Sequence, residues 1–262
     1  MTEAEWLGAA NATELWDVVR DQTGFHRNTL DYQGDSDGYH QRLLYLLGVA
    51  FCRRLEHLFS DPCCERVMQV AEAFAEGSAT IDDLLDAHDD LDIGFRCTQA
   101  SDRLPAANCA TLEAVFWLSP DDYKVIRAVD HVSDAAGYLR AVAAGILPAN
   151  ATHKEGKSVW KHAAFLAGKA AEEQVLCDLI RDVMGNPFHP ARIDASWLAW
   201  NDSTARRIAH GIYEDRAFDR LLILHDALLD AGYDDEAVLS HCRSEGPHVR
   251  GCWAIDLIIG KS

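Results

Sequence analysis

Two histidines and two cysteines lie close together near the end of the chain: His241, Cys242, His248 and Cys252. Imidazole nitrogens and thiolate sulfurs are ligands that Zn²⁺ prefers, and a tetrahedron of four such groups is a structural zinc site. Gly246 lies between the two pairs, where a turn would bring them together. The residue types therefore make zinc the candidate cofactor, although the spacing matches no common zinc module.

The helices around these residues decide which side chains can meet. Periodicity and capping residues predict helices at about 195–200, 203–215, 217–230 and 235–243, and a last helix that opens at Pro247. Such a helix would place His248 and Cys252 on one face, because residues four apart are one turn apart. His241 and Cys242 are neighbours on the preceding helix and point in different directions, which favours a single ligand from that pair.

Two other chemistries and a structural role fit the same residue types. A cysteine and a histidine form a nucleophilic pair when Asp226 or Asp256 orients the imidazole. In a metal-dependent hydrolase, Asp256 would be an acid–base or outer-sphere group one turn beyond Cys252. In the structural alternative, Cys242 and Cys252 are small core residues and His248 bonds a backbone carbonyl at the turn.

Composition narrows the classes of partner. The 262 residues carry a formal net charge of −18, with 48% hydrophobic and 25% charged residues. This balance argues against nucleic acids and anionic membranes and favours a basic protein partner. The apolar run from Leu43 to Phe51 is too short to span a bilayer, and the first residues lack the features of a signal peptide. We therefore expect a soluble, cytoplasmic protein whose eight cysteines are reduced.

Nearly every segment has helical periodicity, and no alternating segment is long enough to predict a strand. Strong helices are expected at about 37–59, from Pro62 to about 76, and at about 157–184, the last ending at Gly185. The sequence predicts an all-α, multi-helix globular array that forms one domain over 1–262. An irregular α-solenoid is an alternative arrangement, and the loop at 146–156 is a candidate subdomain break.

Two further clusters carry side chains with chemical potential. Six aspartates between residues 82 and 92 surround His88 and would attract a hard cation or a basic partner, but a solvated helix face is the favoured interpretation. Cys63 and Cys64 follow Pro62 at a helix start, where the helix dipole favours a thiolate. Simple packing of these two thiols is favoured over a redox role.

The chain resembles a large paralogous family of bacterial proteins best known from planctomycetes. The resemblance is carried by Thr2-Glu3-Ala4-Glu5-Trp6-Leu7, Gly185-Asn186-Pro187-Phe188, His241-Cys242-Arg243 and Pro247-His248-Val249-Arg250-Gly251-Cys252-Trp253. It is strong over about 177–261, moderate over the first 76 residues and weak between them. Near Cys52 that family has a double cysteine, which this chain lacks. The resemblance implies a bacterial protein whose final segment is a family signature, and it implies no particular activity.

Charge and the lack of a recognised catalytic motif favour a non-enzymatic protein-interaction or regulatory module whose acidic surface binds a basic partner, such as a nuclease. The alternative is a zinc-binding protein or a metal-dependent hydrolase that uses the histidines and cysteines near the end of the chain. A thiol-based sensor that uses Cys63 or Cys64 is the third hypothesis.

Overall fold

A computed structural model describes residues 1–23, 39–98, 104–116, 118 and 127–261. Across these ranges the chain forms α-helices, and no β-strand occurs in them, so the prediction of an all-α, multi-helix protein is confirmed. None of the helices described is both long enough and apolar enough to cross a membrane. The solenoid arrangement stays a prediction.

The helices are numbered here in chain order. Their bounds are α1 Glu3–Gly8, α2 Ala12–Thr23, α3 Tyr39–Arg53, α4 Pro62–Ala75, α5 Ile81–Thr98, α6 Ala106–Phe116, α7 Ala128–Ala143, α8 His153–Gly156, α9 Ala163–Met184, α10 Ala195–Asp215, α11 Leu221–Asp230, α12 Glu236–Arg243 and α13 Trp253–Ile259. Short 3-10 helices occupy Glu56–Leu58, Lys157–Val159 and Phe218–Arg220.

The chain divides into two compact units. The C-terminal unit contains Met1–Leu7 together with Asp178–Ser262, and the central unit contains Gly8–Cys177. The loop at 146–156, a candidate subdomain break by sequence, lies inside the central unit. There Thr152 caps α8 by exchanging hydrogen bonds with Glu155.

The central unit is built on amphipathic helices. Helix α4 packs against α3 and α5, and α6 packs against α7. The apolar stripe expected for α3 is buried: Leu43, Leu44, Leu47 and Phe51. Helix α4 begins where the sequence predicts, because the Asp61 carboxylate accepts a hydrogen bond from the backbone N–H of Cys63 at 2.8 Å.

Helix α5 carries the acidic run on its solvent side. Leu84, Ala87 and Leu91 are buried. The exposed positions of the same helix include five of the aspartates, Asp82, Asp83, Asp86, Asp89 and Asp90. The side chain of Asp92 lies outside the described residues. This alternation is that of a solvated helix face, as expected.

Cys63 and Cys64 sit at the start of α4 without the properties of reactive thiols. Cys64 is buried and Cys63 is half-buried. Burial, reinforced by the negative charge of Asp61, raises the pKa of Cys64 to about 12 and also raises the pKa of Cys63. Because the thiolate is the reactive form, these shifts disfavour a thiol-based sensor.

The C-terminal unit has a hydrophobic core of its own. Helix α10 packs against α11 and α13, and α11 packs against α12. The largest contributors are aliphatic and aromatic side chains of these helices: Ile212, Tyr213, Leu221, Leu224, Leu228, Tyr233, Ile255, Ile258 and Ile259. Residues near the N-terminus join this unit, since Trp6 is buried and its carbonyl accepts a hydrogen bond from Arg181 at 2.8 Å.

Helix α10 is interrupted between the two segments that the sequence predicts at 195–200 and 203–215. Asn201, Asp202 and Ser203 have φ values of 46°, 56° and 61°, in the left-handed region. Asn and Asp tolerate this conformation better than most residues because their short polar side chains can bond locally. The predicted break at this position is confirmed.

Candidate metal centre

The segment before the last helix is not helical, which corrects one expectation. Helix α13 begins at Trp253 rather than at Pro247, so the prediction that His248 and Cys252 share a helix face is wrong. A helix running from Pro247 into α13 is excluded by the backbone, because Gly251 has a φ of 93°. The backbone N–H of Val249 donates to Oδ2 of Asp182 at 2.9 Å. The local signal of a proline at a helix start is therefore not realised.

Four side chains from four segments nevertheless converge. Asp182, His241, His248 and Cys252 each present one potential ligand atom, and these atoms all lie within 4.8 Å of one another. Asp182 comes from the last turn of α9, His241 from the last turn of α12, His248 from the non-helical stretch between α12 and α13, and Cys252 is the residue before α13. All four belong to the C-terminal unit.

Three pairs of these ligand atoms are in hydrogen-bonding contact. Nε2 of His241 lies 3.1 Å from Sγ of Cys252 and 3.2 Å from Oδ1 of Asp182. Nδ1 of His248 lies 2.7 Å from the same Oδ1. Ordinary zinc–ligand bond lengths imply separations of about 3.4 to 3.6 Å between ligand atoms. A bound ion would therefore lengthen these three contacts by about 0.2 to 0.7 Å, and the other pairs of ligand atoms lie within 4.8 Å.

Three of the four residues predicted from the sequence belong to this group, and Cys242 does not. Cys242 is buried in the helical core, where burial raises the pKa of its thiol to about 12. Its neighbour His241 belongs to the group because consecutive residues on a helix point about 100° apart. Only one residue of this pair therefore faces the group, and its role as a metal ligand stays a prediction.

Sequence reasoning missed Asp182, which lies far from the other three residues along the chain. Its side chain is only 3% exposed. Leu179, Ile180 and Val183 on the same helix are also buried. A carboxylate within an apolar helix face is the local signal that could have found it, because buried carboxylates are almost always paired.

Burial and neighbouring charges shift the pKa values of three residues in the group. Burial alone would raise the pKa of Asp182, but hydrogen bonds and charge from His241 and His248 hold it below its ordinary value. Burial alone would lower the pKa of His248, but the Asp182 carboxylate raises it. Burial, with the negative charge of Asp182, raises the pKa of Cys252 well above its ordinary value. A metal cation would reverse the last effect, since a coordinating thiol is deprotonated.

Neighbouring groups orient both imidazoles. Nε2 of His248 lies 3.2 Å from the carbonyl oxygen of Ser244 and 3.1 Å from its hydroxyl oxygen. The indole N–H of Trp253 donates to Nδ1 of His241 at 3.1 Å, so Nδ1 carries the lone pair and Nε2, which faces Asp182 and Cys252, carries the proton. Each histidine thus directs one nitrogen to the common point, and ligation by Nε2 of His241 would require its proton to move to Nδ1 and the Trp253 hydrogen bond to be lost.

The cysteine–histidine nucleophile is disfavoured by burial. Cys252 Sγ is within reach of His241, but the residue is 0% exposed and its raised pKa keeps it a neutral thiol. The carboxylate beside His241 is that of Asp182. Asp226 instead contacts His225 at 3.0 Å, and Asp256 is buried on α13.

A serine–histidine–aspartate order also occurs at this site. Ser244 Oγ lies 3.1 Å from Nε2 of His248, whose Nδ1 contacts Asp182. However, the hydroxyl donates its hydrogen to the His241 carbonyl at 2.8 Å. Nε2 of His248 also faces the Ser244 carbonyl, which can only accept. Nε2 therefore carries a proton and cannot take one from the serine.

Comparisons with known proteins add no assignment. No protein-family model matches the chain, no curated protein matches it, and no solved structure matches it. The resemblance to the planctomycete family stays a prediction. Inference about function therefore depends on the chemistry of the site itself.

Proposed function

We propose that the C-terminal unit binds one zinc ion through Asp182, His241, His248 and Cys252, and that this ion stabilises the fold of the unit. The observation that carries the proposal is the convergence of four ligand atoms, from four segments, within 4.8 Å of one another. Within the described residues, these four side chains form the one group with such geometry.

The donor set favours zinc over the other common metals. One sulfur, two nitrogens and one oxygen suit Zn²⁺, which takes four ligands in a tetrahedron. Ca²⁺ and Mg²⁺ require six or more oxygen ligands or waters, and a thiol does not suit either ion. Co²⁺ and Ni²⁺ also bind nitrogen, oxygen and sulfur donors, so either ion can be used to probe the same site.

Burial and ligand number favour a structural role over catalysis. Catalytic zinc sites keep three protein ligands and leave a fourth position for water. Here four protein groups are available, and Asp182 and Cys252 are 3% and 0% exposed. A hydrolase based on this centre is therefore the weaker form of the metal hypothesis.

The proposed ion would join segments that are distant along the chain. The stretch from Ser244 to Cys252 contains no helix. Its contacts include the Val249 N–H bond to Asp182 and a bond from Arg250 to the Tyr213 carbonyl at 3.2 Å. Because the ligands come together only in the folded chain, the free energy of metal binding adds to the free energy of folding.

Metal analysis of matched variants tests the proposal. The untagged protein should contain, or take up on titration, about one zinc per chain. Cys252→Ser should abolish this uptake, whereas Cys242→Ser, which changes an equally buried neighbouring thiol, should retain it. Loss of zinc in the Cys242 variant with retention in the Cys252 variant would contradict the ligand set, and a wild-type protein that takes up no zinc would refute the centre.

The interaction module predicted from the composition stays a second proposal. It is supported by the net charge of −18 and by the exposed aspartates of α5, which belong to the central unit. We expect a basic protein to be retained by the immobilised chain at low salt and released at high salt, because charge attraction is screened. Retention of no protein at any salt concentration would reject the idea.

A further inference from the structure

Ser244 directs two oxygen atoms at one nitrogen of His248. It follows the last residue of α12 and is exposed. Its carbonyl oxygen lies 3.2 Å and its hydroxyl oxygen 3.1 Å from Nε2 of His248. The hydroxyl hydrogen is already used, since Ser244 Oγ donates to the carbonyl of His241 at 2.8 Å. Both Ser244 oxygens are therefore acceptors toward the ring.

Two acceptors at Nε2 determine which nitrogen of His248 can bind a metal. A neutral imidazole has one protonated nitrogen, which donates, and one bare nitrogen, which accepts or ligates. The two acceptors hold a proton on Nε2, so Nδ1 is the nitrogen that can give up its proton and supply a lone pair to a metal. Nδ1 also faces the cluster, where it donates its N–H to Oδ1 of Asp182 at 2.7 Å, and a bound metal would replace that proton.

The two histidines thus present different nitrogens to the same point. His241 directs Nε2 to this point, 3.1 Å from Sγ of Cys252, but its Nδ1 accepts from Trp253, so ligation through Nε2 would require the proton of Nε2 to move to Nδ1. The Ser244 hydroxyl joins the two residues, because it contacts the ring of His248 and the backbone of His241 at the same time.

We propose that Ser244 is a positioning residue of the metal centre, which fixes His248 in the form that ligates through Nδ1. The inference rests on the proposed zinc centre and names one determinant of its affinity. Metal-binding histidines almost always donate their second ring N–H to an oxygen, and losing such a partner typically weakens metal binding by about 10- to 100-fold. Because the Ser244 carbonyl stays in place when the side chain is shortened, we expect a loss near the lower end of that range.

Competition between the full-length protein and a zinc chelator measures the effect. Ser244→Ala should bind zinc about tenfold more weakly than the wild type. Ser240→Ala is the matched control, since Ser240 is exposed on the same helix and its hydroxyl also bonds a carbonyl three residues earlier, that of Ala237 at 3.4 Å. The control should bind zinc like the wild type. Ser244→Thr keeps the hydroxyl and should restore most of the affinity.

Imidazole ¹⁵N resonances of the zinc-bound protein provide a readout that a purely structural role would not move. His248 should show a protonated Nε2 and a metal-bound Nδ1, and His241 a metal-bound Nε2. Zinc bound through Nε2 of His248 would overturn the inference, as would wild-type affinity in Ser244→Ala. If Ser244→Ala fails to fold, the zinc affinity of Ser244→Thr and the imidazole ¹⁵N resonances of the wild type test the inference instead. A wild-type protein that takes up no zinc would instead refute the centre itself.

Discussion

Zinc removal should lower the melting temperature of the C-terminal unit, and the size of the effect can be estimated. A ligand that binds only the folded state, at a free concentration 1,000 times its Kd, stabilises a protein by about 4 kcal/mol. The unit comprises residues 1–7 and 178–262. In domains of roughly that size each kcal/mol shifts the melting temperature by about 4 to 8 °C. We therefore expect a decrease of roughly 16 to 32 °C when zinc buffered at this level is replaced by a chelator.

The zinc-free unit should still fold, which keeps the comparison measurable. Its helices bury an apolar core that includes Leu224, Leu228, Ile255 and Ile258. The Asp182 carboxylate also keeps hydrogen-bonding partners without an ion, including the backbone N–H of Val249. No buried charge is left unpaired by zinc removal, so the penalty of about 3–5 kcal/mol for an isolated buried charge does not arise.

Differential scanning calorimetry of the full-length chain, with and without buffered zinc, measures the shift. Cys252→Ser should melt at one temperature under both conditions, whereas Cys242→Ser should keep the zinc-dependent shift of the wild type. Both substitutions introduce a hydroxyl at a buried thiol, and because each variant is compared with itself with and without zinc, its own destabilisation does not enter the shift. Stoichiometric zinc binding with a shift of less than a few degrees would refute the structural role, because the ion would then bind folded and unfolded chains almost equally.

Three further predictions concern groups around the centre. Without zinc, the free energy of unfolding should fall as the pH rises from about 6.5 through the raised pKa of His248, because the Asp182 carboxylate stabilises the protonated ring. Urea titrations across this pH range measure the fall. Bound zinc should remove this pH dependence. Gly185→Ala should lower the free energy of unfolding, measured in urea, by about 1 kcal/mol more than Gly232→Ala does. Both glycines have positive φ, but an added Cβ would lie 3.2 Å from Trp253 at Gly185 and meet nothing within 4 Å at Gly232, so equal losses would contradict this contact. Ser244 should not react with a fluorophosphonate, because the facing nitrogen carries a proton; an adduct detected by mass spectrometry would revive the serine nucleophile.

Features that depend on neighbours in the chain are readable from the sequence. Thr2 and Glu5 have the spacing of a capping box, and they form one, with hydrogen bonds of 2.7 and 3.3 Å. Thr80 and Asp83 make the same exchange at the start of α5. Such caps, and the apolar periodicity of α3, act within a single helical turn or face, so the all-α class could be predicted without any knowledge of packing.

The candidate centre was only partly predictable. The sequence itself determined that His241, His248 and Cys252 are the groups near the chain end with metal-binding chemistry. Tertiary structure decided that Asp182 completes the set and that Cys242 faces the core instead. The physical reason is that a ligand set is defined by distances in space, which one helix turn cannot specify.

The end of the chain shows the same division between local and long-range information. Pro247 is a valid local signal for a helix start, and sequence reasoning placed the last helix there. The helix begins instead at Trp253, because Gly251 takes a φ of 93°, which a right-handed helix does not contain. Local propensity is worth only tenths of a kcal/mol per residue, so the proline signal alone does not determine where the helix begins.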